Sequence, residues 1–190
     1  MKRTSLLLAV AGAFAGTLLA TTVIPPSFDE LVSRAQMIFQ GTVTNVSSQW
    51  TGEGAQRHIV SYVTLNVDDT YKGDPGKQIT LRMLGGTVGD ETMEVSDAPK
   101  FKPGDRDVLF VENNGSQFIP LVGIMHGRYR IEKDQAGRDV IMTNSGAPLG
   151  SVTQVGKAEG SQAQSIQAQQ PMTLQQFKQA IQAKAHTAAP

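Results

Sequence analysis

Cysteine is absent from the sequence, and this absence removes several classes of function at once. Without thiols the chain has no disulfide bond, no thiolate metal site, no cysteine nucleophile and no lipid-modified N-terminal cysteine. Such a fold depends on its hydrophobic core for stability. About 130 residues of globular sequence are enough, because a domain near that size buries roughly two-thirds of the surface of its unfolded chain.

Histidines are few, and the 3 that are present do not form a metal motif. His58, His126 and His186 have neither H-x-H nor H-E-x-x-H spacing, and no serine lies in a G-x-S-x-G pattern. We therefore assign no catalytic, cofactor-binding or metal-binding residue and expect no cofactor. A site assembled from His58, His126 and distant aspartates stays open as an alternative.

The one long apolar run lies at the start of the chain. MKRTSLLLAVAGAFAGTLLA carries Lys2 and Arg3 and then no charge up to Ala20. This is the form of a secretory signal peptide, and the run is short for a membrane span, which normally needs about 20 apolar residues. We predict that residues 1–20 are a signal peptide and that the mature protein is periplasmic or secreted, without a stable membrane span. Cleavage after Ala20, cleavage near Ala13-Phe14-Ala15 and an uncleaved anchor all remain open.

Charge of either sign is sparse, at 18% of the residues. Removal of Lys2 and Arg3 with the signal peptide leaves 15 basic and 17 acidic residues, a net charge of about −2. Single-stranded nucleic acid requires a basic groove with exposed aromatic side chains. Such groups are present in Trp50, Tyr62 and Tyr129, with Arg128 and Arg130 as cations. The net charge and the predicted export nevertheless favour a protein with no nucleic-acid partner.

The predicted mature chain opens with a short helix in the region 21–36. Ser27 and Glu30 have the spacing of a capping box, and Phe28, Leu31 and Val32 follow with helical periodicity. From residue 37 the apolar period changes to two, as in MIFQGTVTNV, HIVSYVTLNVDDTY and QITLRML. Several short strands with glycine bends predict a mainly β domain, a small OB-like antiparallel barrel, over residues 37–145.

An acidic cluster lies in VDDTYKGDPGKQITL, residues 67–81. Its aspartates lack the D-x-[DN]-x-[DN]-G spacing that wraps a calcium ion. Asp74-Pro75-Gly76 has turn chemistry, since aspartate caps turns, proline fixes one dihedral angle and glycine permits a positive φ. We therefore predict a solvated corner between two strands.

Three further segments connect strands in this prediction. Asp105 and Asp107 follow a Pro-Gly turn, where we expect both carboxylates to be solvated. The glycines of LGGTVGDETMEV are followed by acidic residues, which would repel a phosphate, so we predict a flexible connection. A hairpin is predicted around residues 134–137, with Lys133 paired to Arg138.

Residues 146–171 are rich in Gln, Ala, Ser and Gly, which predicts a linker. A separate C-terminal amphipathic helix follows in residues 172–187, and Thr173 and Gln176 form a second capping box. Leu174, Phe177 and Ile181 make a narrow apolar stripe. We expect this stripe to dock on the protein's own domain, and a partner protein is the alternative.

Three motifs support a family resemblance over about residues 35–131. They are Phe39-Gln40-Gly41-Thr42-Val43, Lys72-Gly73 and Phe101-Lys102-Pro103-Gly104. The pattern resembles a group of uncharacterised exported bacterial proteins and is similar, more distantly, to the OB-type barrel of netrin-like domains and tissue inhibitors of metalloproteinases. Those inhibitors chelate zinc through an N-terminal cysteine, which this chain lacks, so that mechanism does not transfer.

These observations favour an exported, non-enzymatic binding or interaction module. Its ligand is unknown, and a protein is one possible partner. The alternative is a metal-dependent or hydrolytic enzyme built from His58, His126 and aspartates. Fold alone does not decide between them, since OB-type barrels host many functions.

Overall fold

The computed structural model describes residues 25–157 and 170–187. The predicted signal peptide and residues 158–169 of the predicted linker lie outside the described residues. Helix α1 spans Phe28–Arg34 and helix α2 spans Leu174–Thr187. The strands are β1 (Met37–Thr51), β2 (His58–Lys72), β3 (Gln78–Leu84), β4 (Gly86–Val88), β5 (Glu91–Met93), β6 (Arg106–Val111), β7 (Arg128–Lys133) and β8 (Asp139–Thr143).

Helix α1 is held at both ends by side chains. The Ser27 hydroxyl accepts from the Glu30 amide at 3.3 Å, and the Glu30 carboxylate accepts from the Ser27 amide at 2.8 Å, which confirms the predicted capping box. At the other end, the Lys72 ammonium donates to the carbonyls of Val32 and Ser33 at 2.8 and 3.2 Å. The last carbonyls of a helix have no partner within the helix, so a cation that binds them stabilises this end of α1.

Six strands form one antiparallel sheet in the order β3-β2-β1-β6-β7-β8, which confirms the mainly β class. Strand β6 lies in the interior of the sheet and is buried on both faces. Val108 and Phe110 belong to one apolar core, and Leu109 and Val111 belong to the other. The alternation of side chains along a strand produces this division. None of the helices in the described ranges has the length and apolarity needed to cross a membrane.

The first core joins one face of the sheet to both helices. Phe177 of α2 is fully buried, and its ring centroid lies 4.9 Å from that of Tyr129 and 6.0 Å from that of Phe28. Ile181, one turn further along α2, is also fully buried. The apolar stripe of the C-terminal helix therefore packs on the protein's own domain, as expected. Its capping box is confirmed too, since the Gln176 amide donates to the Thr173 hydroxyl at 3.3 Å.

The second core lies on the opposite face, where Phe39, Leu65, Leu81 and Leu109 are fully buried. Strand β3 is an edge of the sheet, and a loop covers it: the Leu84 amide donates to the carbonyl of Phe118 at 2.7 Å. The side chain of Asn114 also binds this edge, donating to the Thr80 carbonyl at 2.9 Å and accepting from the Arg82 amide at 3.2 Å. The edge of β3 is thus protected by side-chain and backbone hydrogen bonds.

The predicted register of the β7–β8 hairpin is wrong by one residue, because Lys133 pairs with Asp139 and not with Arg138. The Asp134 carboxylate accepts from the amides of Ala136 and Arg138, both at 2.9 Å. These bonds hold Arg138 in the turn, so the loop between β7 and β8 is one residue longer on the β8 side than predicted.

The first part of the predicted linker is also folded. Leu149 is buried against the first core, and its amide donates to the carbonyl of Ile141 at 3.0 Å. A single 3-10 turn follows at Val152–Gln154. Residues 146–157 therefore belong to the packed structure, although their composition resembles that of a linker.

Candidate binding groove

A groove of about 590 Å³ opens on the second face of the sheet. Val46 and Ser48 of β1, Ser61 and Val63 of β2, and Met83 of β3 form its floor. Its wall is the β4–β5 hairpin together with the segment 94–101. Binding sites for small molecules and cofactors usually measure about 300–1,000 Å³. We call this feature the groove.

Two glycines turn the chain at the end of β3 so that the hairpin lies across the sheet. Gly85 and Gly86 have φ of +94° and +136°, a region that side chains with a Cβ rarely adopt. At Gly86, a Cβ would lie 2.2 Å from the hydroxyl oxygen of Ser61 and 2.4 Å from that of Ser48. Glycine is therefore required at position 86 for two reasons: φ is positive there, and the hydroxyls of Ser48 and Ser61 lie too close for a Cβ. The predicted flexible connection is in fact a two-stranded hairpin.

The floor of the groove combines apolar side chains with a pair of hydroxyls. Val63 and Met83 are almost fully buried, at 2% and 4% exposed. The hydroxyl oxygens of Ser48 and Ser61 are 2.8 Å apart, and the Ser61 hydroxyl donates to the Gly85 carbonyl at 2.7 Å. The groove can thus bury an apolar group, and its hydroxyls can orient polar groups that accompany it.

Charges are confined to the rim of the groove. Glu94 and Lys100 form an ion pair of 2.8 Å, and their side chains are 68% and 82% exposed. The hydrogen bond from Lys100 lowers the pKa of the Glu94 carboxyl below its ordinary value. An exposed pair of this kind adds little to stability, so its position at the entrance is more relevant to what enters the groove than to folding.

A buried cationic side chain anchors the wall of the groove to the sheet. Arg128 is 4% exposed, and its guanidinium donates to the carbonyl of Lys100 at 2.7 Å. The same guanidinium lies 4.2 Å from the ring centroid of Phe101, a cation–π distance. Arg128 therefore binds two consecutive residues of the wall segment from below.

Asp105, in the turn before β6, and Asp107, in β6, neutralise the charge of Arg128. Asp107 is fully buried and accepts from the guanidinium at 2.8 and 3.2 Å, and Asp105 accepts at 2.9 Å. Burial raises the pKa of the Asp107 carboxyl, and the Arg128 charge partly opposes that rise. The expectation that Asp105 and Asp107 are both solvated is wrong for Asp107, because strand alternation directs its side chain to the same face as Leu109 and Val111.

The histidines and the acidic corner do not assemble into a metal site. His58 begins β2, where its Nδ1 lies 2.7 Å from the carbonyl oxygen of Gln56, and His126 lies in the turn before β7. Across residues 25–157 and 170–187, no three His, Asp or Glu side chains are placed to hold a metal ion.

Each carboxylate of the acidic corner has its own separate role. Asp68 accepts from the Thr42 hydroxyl at 2.8 Å, Asp69 forms an ion pair with Lys178 of α2, and Asp74 accepts from the Gly76 amide at 3.1 Å. The last of these bonds closes the turn that the sequence predicted. The cluster is therefore a strand connection that also holds α2 against the sheet.

Trp50 and Tyr129, two of the aromatic residues considered for base stacking, are engaged within the protein. The guanidinium of Arg57 lies 3.9 Å from the centroid of the Trp50 ring, and Tyr129 is 4% exposed in the first core. Arg128 is committed to Asp107 and lies beneath Phe101. The groove thus has neither the basic lining nor the exposed stacking surface that single-stranded nucleic acid requires.

The sequence matches no protein family, and no curated protein matches it.

Proposed function

We propose that this protein is an exported, non-enzymatic binding module and that the groove holds its ligand. The observation that carries the proposal is the groove itself: a concavity over three strands, lined in about equal measure by polar and apolar surface, with a hydroxyl pair on its floor and charges at its rim. The wall is fixed from below by Arg128, so the cavity is largely preformed. Preformed concavities that combine apolar surface with placed polar groups are typical of binding sites.

We also propose that the sheet is an OB-like barrel of the netrin-like type. Two features support this interpretation. A core packs against the second face of the sheet, and a bridge between Val111 and Leu121 lies at the base of the loop that covers the edge of β3. The export proposal is supported by the composition of residues 1–20.

The chemistry around the groove favours binding over catalysis. A carboxylate or imidazole acts as an acid or base when its pKa is shifted and when it reaches the substrate. Glu94 is exposed at the rim, and the more deeply placed Asp107 is committed to Arg128. Each of these carboxylates is thus already engaged by a cation of the protein.

Binding of an apolar fluorescent probe, anilinonaphthalene sulfonate, tests the proposal. The purified protein should enhance its fluorescence in a saturable manner. Met93→Glu places a charge in the wall of the groove and should weaken binding about tenfold, equivalent to roughly 1.4 kcal/mol. Thr80→Glu adds the same charge on an exposed position of β3 and should leave binding unchanged. Equal binding by both variants, or no saturable binding by the wild type, would refute the groove as the binding site.

Metal analysis distinguishes the enzyme alternative. The protein purified without added metal should contain no stoichiometric metal, and a chelator should leave its melting temperature unchanged. Stoichiometric metal together with a chelator-induced drop in melting temperature would favour an enzyme that uses His58 or His126.

A further inference from the structure

Strand β1 pairs with β2 along one edge and with β6 along the other, and it is longer than β6. Met37–Thr42 pair with β6, and Val43 bonds to the backbone of Gly104 and Asp105. Over residues 44–51, β1 pairs with β2 on one side only, and within the described ranges no other backbone bonds to its opposite edge. The strand therefore presents unpaired amide and carbonyl groups along this stretch. At about 3.4 Å per residue, the open edge is roughly 27 Å long.

The two outer strands of the sheet, β3 and β8, are covered along their free edges. Asn114 and the backbone of Phe118 bind the edge of β3. At β8, the Leu149 amide donates to the carbonyl of Ile141, and the Ile141 amide donates to the carbonyl of Met172 at 2.9 Å. Both outer strands of the sheet are thus protected by segments of the chain itself.

The open edge also lacks the residues that normally prevent strand addition. Its sequence, TNVSSQWT, contains no charge and no proline. Natural edge strands are commonly blocked by lysine, by proline or by an inward-pointing charge. An uncharged, proline-free edge is a ready template for another extended backbone.

This edge is continuous with the groove. Val46 and Ser48 belong to the open stretch, and their side chains form part of the groove floor. A strand that pairs with β1 places every second side chain on this same face of the sheet. Backbone pairing at the edge and side-chain burial in the groove are therefore available to one ligand at the same time.

We propose that the ligand is an extended, uncharged peptide segment that adds a strand to residues 44–51 of β1 and directs alternate apolar side chains into the groove. This inference rests on the proposed function and specifies its ligand class. A second copy of the chain fits less well. The open edge ends at Gly104 and Asp105, and an antiparallel copy in full register would bring its Gly52–Arg57 loop against that segment. A short peptide carries no such loop.

A peptide with the sequence TVTVTVT-amide that carries fluorescein on its N-terminal amine tests the inference by anisotropy. Because backbone hydrogen bonds carry the pairing, a generic strand-forming sequence is a suitable probe. Two further peptides carry N-methyl groups on all valine amides or on all threonine amides. Alternate amides of a strand point to opposite edges, so one N-methylated peptide should bind at least about tenfold more weakly than the parent, and the other should bind like the parent. Equal affinity of all three peptides, or no binding of the parent, would overturn the proposal.

Protein variants locate the site. Val46→Lys places a charge at the open edge and in the groove floor, and it should abolish peptide binding. Thr64→Lys adds the same charge to the neighbouring strand β2, which has no open edge there, and should bind peptide normally. Matched circular dichroism spectra and thermal melts establish that both variants fold. Peptide binding by Val46→Lys equal to that of the wild type would contradict the proposed location.

Two other results separate this inference from the proposed function. If anilinonaphthalene sulfonate binds the groove but the peptide does not, the binding module stands and the peptide ligand is wrong. If sedimentation velocity shows a wild-type dimer that Val46→Lys dissociates, a second copy occupies the edge and the peptide proposal is overturned.

Discussion

Replacing Arg128 with methionine removes the partner of a carboxylate that has no access to water. Asp107 is 0% exposed, and two of the hydrogen bonds that hold it come from Arg128. Breaking a buried ion pair by removing one partner typically costs about 3–5 kcal/mol, because the other charge stays buried and uncompensated. Loss of the bond to the Lys100 carbonyl adds to this cost. We expect urea unfolding to show a decrease in unfolding free energy in this range and a melting temperature lower by roughly 6–20 °C.

The pH dependence of the same variant provides a sharper test. Burial raises the pKa of Asp107, and Arg128 opposes that rise, so Arg128→Met raises the pKa further. The folded variant then binds a proton more tightly than the unfolded chain does. Its stability should therefore increase, relative to wild type, as the pH is lowered from 7 towards 5, and this gain should be lost as the pH rises through the folded pKa.

Two companion variants serve as controls. Arg128→Met combined with Asp107→Asn removes both charges of this buried pair and should recover at least about 1 kcal/mol. Arg82→Met removes a guanidinium from β3 that forms no ion pair with the described residues, and it should change stability by less than about 0.5 kcal/mol. A cost below 1 kcal/mol for Arg128→Met, or a cost that does not vary with pH, would show that Asp107 is not buried as an ion.

Two further predictions concern the helix and the far end of the sheet. Phe177→Ala should lower the unfolding free energy by about 3–5 kcal/mol in urea, because it empties a fully buried aromatic site, whereas the exposed Gln175→Ala should change it by less than about 0.5 kcal/mol. Hydrogen bonds from Arg106 hold the pKa of Asp139 well below its usual range. The ionised carboxylate therefore stabilises the fold above the unfolded pKa of about 3.9, and this stabilisation is lost as the pH falls below that value. Asp139→Asn should therefore cost about 1 kcal/mol at pH 7 and progressively less below pH 4 in thermal melts, and a cost that stays constant down to pH 2 would contradict this assignment.

Features with short-range causes were predictable from the sequence. Each capping box joins groups three residues apart, so the patterns at Ser27 and Thr173 were sufficient to place both helix starts. The turn at Asp74 is local in the same way, since its carboxylate binds the Gly76 amide. Alternation of apolar residues likewise predicted the main strands and the mainly β class.

Features that depend on distant contacts were missed. Asp107 follows a Pro-Gly turn, and its partner Arg128 lies 21 residues away in sequence. A signal was nevertheless present, because Asp107 shares the strand period of Leu109 and Val111, and a charge on a buried face requires a partner. The groove was missed for a similar reason: it exists only where the β4–β5 hairpin, which begins at Gly86, packs over β1 and β2.

The docking of α2 has a consequence for the order in which the protein can fold. Phe177 contacts the rings of Phe28 and Tyr129, so the first core combines a residue from the beginning of the packed domain with one from its last helix. During synthesis, both rings lack this partner until the ribosome has translated α2. The first core is therefore completed only after the helix that follows the rest of the described domain has been made.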